Sequence, residues 1–451
     1  MKNINVKQLI FIIIPIFLEL LLQIVAGNVD KIMVSNDDLA TSINQANSIL
    51  DLLVVSLSVL SAASLILINQ YKGAKEAEKE KSVYKLAFYF NLVVGILLSL
   101  ILLLLSKPIL NLMQTQHDLI GSANKYLMIC GGCLFLQATM LTLQSYLRSN
   151  DLTKVSLFIS LTFNIINVGL NLLFLYPLNL DPILAVALGS IISRFIGVII
   201  LLIVVVTKLK INLSIRGLFP IKFKELKKIL SIGLPTVGEA ISYSLSQVVI
   251  LAFINMIGDI GQKSGALELM SAPTAKTYAT MIATITYLFV NATSQGMQIL
   301  LGRYLGSHDQ DLARKLVLRC MMVSIIVSTT FALIIALLSG FIFRIFTNNQ
   351  NVIDLCVKIM YIEIGLELGR AINMTLVRAL QTSGDVMYPT IMAILFCWIV
   401  ATLGSYILGV HFKLGLVGVW ISMTCDELFR AVLFIIRFRS NKWLKYNLVG
   451  A

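Results

Sequence analysis

Residues 9–30 read LIFIIIPIFLELLLQIVAGNVD, an apolar run interrupted by Glu19, Gln23 and Asp30. A run of ~20 predominantly apolar residues is long enough for an α-helix to cross a bilayer. Steps of four and seven residues place the three side chains within about 40° of one another on a helix that turns ~100° per residue. A charge in the middle of a bilayer costs ~2.5–3.5 kcal/mol on insertion scales. The stretch therefore predicts a membrane helix with one polar face.

The rest of the chain has the same apolar character. Of its 451 residues, 58% are hydrophobic and 13% are charged, whereas soluble domains average ~45–50% and ~25%. This composition excludes a soluble enzyme, a disordered chain and a secreted disulfide scaffold. It predicts an all-α polytopic membrane protein. The apolar segments, together with the repeat described below, predict twelve transmembrane helices in two six-helix lobes related by pseudo-two-fold symmetry. The twelve apolar segments are 8–34, 42–70, 83–106, 119–147, 154–178, 183–207, 227–257, 277–304, 314–341, 352–380, 387–409 and 415–437.

The basic residues are distributed unequally between the two sides of such a bundle. Of 36 Lys and Arg residues, 26 fall at the two ends and in alternate connections, eight fall in the other connections, and two lie within helices. Cytoplasmic loops of membrane proteins carry the excess of Lys and Arg. We therefore expect both termini and the basic segment 208–228 to be cytoplasmic. The net charge of +13 then reports topology and contact with anionic lipids, and no nucleic-acid partner is expected.

The two halves of the chain resemble each other. The offsets are 220 residues from Pro15 to Pro235, 233 from Gly73 to Gly306 and 234 from Asp151 to Asp385, which indicates an internal repeat. We expect an N-lobe at 1–207, a cytoplasmic basic linker at 208–228 and a C-lobe at 229–451. Parallel repeats of this kind place a substrate path between the halves. The matching pairs are PIFLE (15–19) with PTVGE (235–239), QYKGA (70–74) with RYLGS (303–307), and RSNDLTKVS (148–156) with QTSGDVMYP (381–389).

Polar residues also recur in the predicted helix at 352–380. Glu363, Glu367 and Arg370 fall on one face, and Arg370 is close enough to Glu367 along the helix to form an ion pair. The pair either holds helices together or contacts cargo, and Asn373 is a further candidate for the cavity. Asp426, Glu427 and Arg430 lie near a cytoplasmic helix end, and we expect that cluster to be structural.

Two other helices carry polar candidates. Asn164, Asn167 and Asn171 form an amide stripe, which either bonds helices to each other or contributes to a site. Asp30 has no cation three or four residues away within its helix. Because an unpaired carboxyl group in a low dielectric can take up and release a proton, Asp30 is predicted to have a functional role. Glu239 completes the set of cavity candidates, with Glu19, Gln23 and the polar residues of 352–380.

Other kinds of chemistry lack their motifs. The chain has no GxxxxGK[ST], GxSxG or HExxH sequence, which argues against ATP-driven transport and against an enzyme. Cys130 and Cys133 have CxxC spacing, but they lie inside the predicted helix at 119–147, where small residues favour close helix packing. The intramembrane charges favour a cationic cargo because they are mostly acidic. They are Glu19, Asp30, Asp51, Glu239, Glu363 and Glu367, against Arg194 and Arg370.

Three longer segments resemble the multidrug and toxic compound extrusion (MATE) transporters. They are NVDKIMVS (28–35), ELGRAINMTLVRALQTSGDVMYPT (367–390) and GVWISMTCDELFR (418–430). The resemblance implies twelve helices in two lobes that face a V-shaped cavity, and export of organic cations in exchange for H⁺ or Na⁺. In this family a carboxylate of the first helix and two polar residues of the fifth form a cation site. Asp30, Asn167 and Asn171 match those positions.

This sequence departs from the family pattern at three places. Some relatives have an acid where this chain has Asn171, and some have an acid in the seventh helix where this chain has Tyr243. Glu239 lies one turn before that position. Some also have an acid near Arg370 in the tenth helix, where the nearest is Glu367. The resemblance therefore leaves both the coupling ion and a second cation site in the C-lobe open.

Together, these observations predict a secondary antiporter of the cell membrane that exports amphipathic organic cations or drugs. The coupling ion, H⁺ or Na⁺, would bind at Asp30, Asn167 and Asn171, and no other cofactor is expected. Membrane lipids and the cargo are the expected partners, and the protein is expected to be a monomer. The alternative is a flippase for lipids or lipid-linked oligosaccharides of the same superfamily.

Overall fold

A computed structural model describes residues 6–34, 37–113, 115–214, 222–446 and 448–449, with the side chains of residues 6, 27–32, 37 and 117 left out of that description. Within these ranges every regular element is a helix. The chain divides into two compact units, Val6–Val237 and Gly238–Ala451.

The first unit contains seven complete helices. The helices are α1 (Val6–Met33), α2 (Asp37–Gly73), α3 (Ala77–Leu112), α4 (His117–Gly132), α5 (Leu134–Ser149), α6 (Thr153–Leu175) and α7 (Pro182–Thr207). Their buried Ile, Leu, Val and Ala side chains on α2, α3, α4, α5 and α7 form the core of the unit.

The remaining helices follow the basic segment. Wide π-helical turns at Cys397–Thr402 and Tyr406–His411 interrupt the span at 387–411, and a 3₁₀ turn at Lys442–Lys445 follows the last helix. The core of this unit comes from α8, α10, α11, α12 and α15. The helices are α8 (Phe223–Ser264), α9 (Leu267–Met270), α10 (Ala272–Gly306), α11 (Gln310–Arg344), α12 (Gln350–Ser383), α13 (Met387–Phe396), α14 (Leu403–Ser405) and α15 (Gly415–Arg439).

All twelve predicted spans have a helical counterpart. In the described part of the chain, eight helices are long and apolar enough to cross a membrane, and the bent pair of α4 and α5 makes a ninth. The other three are α10, α12 and α15, whose polar residues lower their hydropathy. Large apolar side chains such as Leu104, Leu337 and Phe341 are exposed on helix surfaces, as expected of faces that contact lipid.

The prediction of one continuous helix at 119–147 is wrong. The chain breaks at Cys133, and α4 and α5 meet at an angle of 46°. Two successive glycines weaken the helix at this point. The expected close packing is present, because a Cβ atom on Gly131 would lie 2.5 Å from Leu102 of α3. Cys130 and Cys133 therefore lie at a bend, where the small glycines let two helices approach.

The boundary between the two units lies inside a helix. α8 begins at Phe223, so residues 223–228 of the predicted linker are already helical. The part of α8 up to Val237 belongs to the first unit and the part from Gly238 to the second. The lobe boundaries expected from the sequence stay a prediction.

Candidate functional site

The first-helix carboxylate is Asp30, which lies in the last turn of α1. Its side chain is outside the described residues, so its predicted role in binding the coupling ion stays a prediction. Met33, one turn later on α1, is described, and its sulfur lies 3.9 Å from Nδ2 of Asn171. Residues three apart share a helix face. The backbone position of Asp30 is therefore on the side of α1 that approaches the amide stripe of α6.

The two amides of α6 that match the family site are both buried. Asn167 donates a hydrogen bond from Nδ2 to Oγ of Ser190 on α7, at 3.2 Å. Asn171 fits against α7 only because residue 189 is glycine, since a Cβ atom there would lie 1.9 Å from Oδ1 of Asn171. The structure thus places both amides at the packed contact between α6 and α7. That they bind an ion stays a prediction.

Glu19 is buried in the first unit, with 1% of its surface exposed. Arg148 of α5 donates a hydrogen bond from Nη2 to Oε2 of Glu19 at 2.9 Å, which also makes an ion pair. Two hydroxyl groups of α6, from Ser156 at 3.2 Å and Ser160 at 2.9 Å, donate to Oε1. Gln144 supports the second of these by donating to Ser160 Oγ at 3.1 Å. The carboxylate therefore has a cation and two hydroxyl donors of its own.

Gln23 belongs to the same predicted stripe of α1, but its environment is different. Its side chain is exposed, whereas that of Glu19 is buried one turn earlier. The polar stripe therefore does not lead to one common site. Whether Glu19 or Gln23 contacts cargo stays a prediction.

In the second unit, α12 carries a compact ion-pair cluster. The predicted pair of Glu367 and Arg370 is confirmed, and Nη1 of Arg370 also lies 3.3 Å from Oε1 of Glu363. Trp420 of α15 donates a hydrogen bond from Nε1 to Oε2 of Glu363 at 2.7 Å. The Arg370 guanidinium lies 5.5 Å from the ring centroid of Tyr287 on α10, a cation–π contact. Arg370 thus forms ion pairs with two buried carboxylates, and aromatic rings on two other helices contact the cluster.

A second cluster joins α12 to α15 one turn further along. Asn373 donates from Nδ2 to the backbone oxygen of Glu427 at 2.7 Å and to its Oε2 at 2.5 Å. Arg430 pairs with Asp426 at 2.5 Å and with Glu427 at 3.0 Å. This geometry fits the structural role expected for the α15 cluster. It also gives Asn373 a fixed partner within the protein.

Glu239 of α8 is half-buried and has far fewer partners. Thr390 of α13 donates a hydrogen bond to its Oε2 at 3.1 Å. Among the residues that the structure describes, Glu239 forms no ion pair. One turn along α8, Tyr243 is 48% exposed, and Trp398 donates from Nε1 to Oγ of Ser242 at 2.9 Å. The carboxylate therefore lies on a helix face that also presents accessible aromatic surface.

Several of these partners were not found from the sequence. Arg148, Ser156, Ser160, Thr390 and Trp420 are far along the chain from the acids they contact, so helical periodicity gives no signal for them. The repeat could have provided one signal. The offset of 234 residues that relates Asp151 to Asp385 also relates Ser156 to Thr390.

Within the described part of the chain, no three His, Cys, Asp or Glu side chains are grouped so that they could hold a metal ion. The side chain of Asp30 is outside that part. The proposed Na⁺ ligand set of one carboxylate and two amides is therefore not tested by this observation.

Comparison with known proteins agrees with the fold. The MatE family model matches residues 15–173 and 235–407, so it matches once in each half and begins each time at the proline of the repeated PxxxE segment. The transporter YisQ of Bacillus subtilis is 29% identical over 96% of this chain and 93% of its own length. A probable multidrug resistance protein NorM of Thermotoga maritima is 24% identical over 97% of this chain and 93% of its length.

Solved structures show the same architecture. An outward-facing MATE transporter of the MOP superfamily superposes with a TM-score of 0.87, at 16% identity, over 99% of this chain and 97% of that chain. A MOP superfamily transporter from Pyrococcus furiosus gives 0.88 at 16% identity, over 97% and 96%. The fold is that of twelve transmembrane helices in two six-helix lobes. The chain therefore belongs to the MatE family, the multidrug and toxic compound extrusion transporters of the membrane.

Proposed function

We propose that this protein is a secondary antiporter that exports amphipathic organic cations from the cytoplasm in exchange for H⁺ or Na⁺. The observation that carries the proposal is the sign of the charge in the central stretches of α8 and α12. An excess of carboxylates there attracts cations and disfavours anions. The acids are Glu239, Glu363 and Glu367, and the base is Arg370.

The coupling ion would bind in the first unit, at Asp30, Asn167 and Asn171. A carboxylate can carry a proton, and carboxylate and amide oxygens are also suitable ligands for a hard cation. Binding of the ion and of the cargo would favour opposite states of the transporter. Because such coupling is reciprocal, entry of the ion then expels the cargo.

The protein would lie in the cell membrane with both termini in the cytoplasm, as the distribution of Lys and Arg indicates. If the repeats are parallel, cysteines at Ser82 and at Lys315, its counterpart at an offset of 233, should be labelled from the same, cytoplasmic, side.

A flippase for lipids or lipid-linked oligosaccharides is the alternative. Its cargo carries phosphate or pyrophosphate, which Arg and Lys side chains bind best. The excess of acids in the central stretches of α8 and α12 favours a cation instead. The name of the Thermotoga maritima relative, a probable multidrug resistance protein, also favours drug export.

Efflux of ethidium, an organic cation, from cells that express the protein tests the proposal. The H⁺ and Na⁺ gradients are collapsed separately, each with its own ionophore. We expect expressing cells to lose ethidium faster than cells with an empty vector, and collapse of one gradient to abolish the difference. Efflux that continues with both gradients collapsed would rule out antiport with either ion. Equal retention in both kinds of cell would rule out this class of cargo.

A further inference from the structure

The internal repeat aligns two glutamates of the protein with one another. An offset of 220 residues relates Glu19 of α1 to Glu239 of α8, and an offset of 234 relates Ser156 to Thr390. In the first unit Ser156 donates to Glu19 at 3.2 Å, and in the second unit Thr390 donates to Glu239 at 3.1 Å. The same hydroxyl–carboxylate contact is thus made once in each unit. This agreement supports the alignment independently of the sequence match.

The two copies of the repeat differ in whether a cation pairs with the carboxylate. The offset of 234 places Thr382 where the first copy has Arg148, and Ile394 where it has Ser160. Glu19 consequently receives a guanidinium at 2.9 Å and a second hydroxyl at 2.9 Å. The second copy keeps its acid but has lost both of these partners.

The nearby arginines do not replace the missing one. Arg378 and Arg430 both attract Glu239 electrostatically. Neither forms an ion pair with it, which would require a guanidinium nitrogen within 4.0 Å of a carboxylate oxygen. Arg430 is already paired with Asp426 and Glu427. A half-buried carboxylate with no cation at ion-pair distance is costly in a membrane protein. A cation from outside the protein would remove that cost.

The surroundings of Glu239 suit an organic cation. Glu19 is 1% exposed, whereas Glu239 is half-buried. Tyr243 follows Glu239 by one helical turn, so the two side chains share a face. Trp398, which is 37% exposed, is held to the same part of α8 by its hydrogen bond to Ser242. A carboxylate with accessible aromatic side chains nearby is a combination that attracts a cation with an apolar body.

We propose that Glu239 receives the cationic group of the cargo, with Tyr243 and Trp398 contacting its apolar body, whereas Glu19 is a structural anchor that does not contact cargo. This assignment rests on the proposed export of organic cations. It names the substrate class of one site, amphipathic monovalent organic cations, and it gives two repeat-related acids opposite roles.

The test measures binding of rhodamine 6G, a cationic dye, and Nile red, a neutral one, to the purified full-length protein by fluorescence anisotropy. We expect Glu239→Gln to weaken binding of rhodamine 6G about tenfold or more, which corresponds to about 1.4 kcal/mol. Binding of Nile red and the melting temperature should stay as in the wild type. Glu239→Asp, which keeps the charge, should retain most of the affinity.

Glu19→Gln is the matched control, because it makes the same change at the repeat-related position. We expect it to lower the melting temperature while the folded protein binds both dyes normally. The assignment is overturned if Glu239→Gln binds rhodamine 6G as the wild type does, or if Glu19→Gln loses the same affinity without loss of stability. A wild-type protein that binds no organic cation would instead overturn the proposed function, and this assignment with it.

Discussion

Glu19 and Glu239 occupy equivalent places in the two repeats, yet their surroundings differ. The first is enclosed with a guanidinium and two hydroxyl groups, and the second is half-buried with one hydroxyl. A hydrogen bond from a hydroxyl group is common to the two copies, while the ion pair is present only at Glu19 among the described residues. In this protein the repeat therefore conserves the position of a carboxylate, and its neighbours determine whether it stabilises the fold or remains available to a ligand.

The larger clusters show the same contrast. In the first unit Arg148 serves one acid, so the pair is electrically balanced. In the second unit Arg370 pairs with both Glu363 and Glu367, so two acids share one cation. Removal of an arginine should therefore have different consequences in the two units. The following predictions use that difference, beginning with the largest expected effect.

The first prediction concerns Asp30, the second acid of α1. Asp30→Asn keeps the size and much of the hydrogen bonding of the side chain while removing its charge. Because the coupling ion is proposed to bind there, we expect ethidium efflux to fall to the level of the empty vector while the protein is still inserted and folded. Asp259→Asn, on an exposed part of α8, is the matched control and should export normally. Wild-type efflux by Asp30→Asn, with the same dependence on pH and Na⁺, would place the coupling site elsewhere.

The second prediction concerns the arginine that serves two acids. Arg370→Met leaves Glu363 and Glu367 buried without their cation, and breaking one buried ion pair by removing a partner already costs about 3–5 kcal/mol. We expect this change to lower the melting temperature more than any other single change in the cluster. Glu367→Gln should cost less, because Arg370 keeps Glu363 as a partner. A larger fall in melting temperature for Glu367→Gln than for Arg370→Met would show that Arg370 does not stabilise both acids.

The third prediction concerns the balanced pair of the first unit. Arg148→Met leaves one buried acid, and we expect a loss of stability of about 3–5 kcal/mol, below that of Arg370→Met. The double change of Glu19→Gln with Arg148→Met removes both charges, so part of the stability should return. Thermal melting of the purified variants measures the effect. A double variant less stable than Arg148→Met alone would argue that Glu19 does not need this cation.

The smallest effect is expected from packing around the amide stripe. Gly189→Ala places a Cβ atom where Oδ1 of Asn171 now lies, so the amide has to move. Overpacking of this kind costs about 1–3 kcal/mol. Efflux should also need a steeper ion gradient, if Asn171 helps to bind the ion. Gly169→Ala on α6 has no atom within 4 Å of the new Cβ, so it should leave both melting and efflux unchanged. Equal effects of the two changes would show that the position of Asn171 is unimportant.

Much of the fold could be predicted because its cause is local. Each apolar segment is long enough to cross a bilayer, where a helix is the way for a single segment to satisfy its backbone hydrogen bonds. The bend at Cys133 and the π-helical turns at 397–411 were not predicted, since tight packing between helices decides them and hydropathy does not. The extension of α8 back to Phe223 was missed for a related reason. Glu225, which contributes to the polar character of that segment, is buried against α2, where Tyr71 donates a hydrogen bond to it.

The sequence by itself determined the helices, the repeat and the ion pair of Glu367 with Arg370, because residues three apart on a helix must be neighbours. Only the tertiary structure decided which acids have a counter-charge. Glu19 pairs with Arg148, 129 residues away along the chain, whereas among the described residues Glu239 forms no ion pair and accepts a hydrogen bond from Thr390, 151 residues away. The reason is physical: helical periodicity fixes the direction in which a side chain points, whereas its partner depends on which helix packs on that side. An acid can therefore be recognised in the sequence, but its charge balance is visible only after the helices have packed.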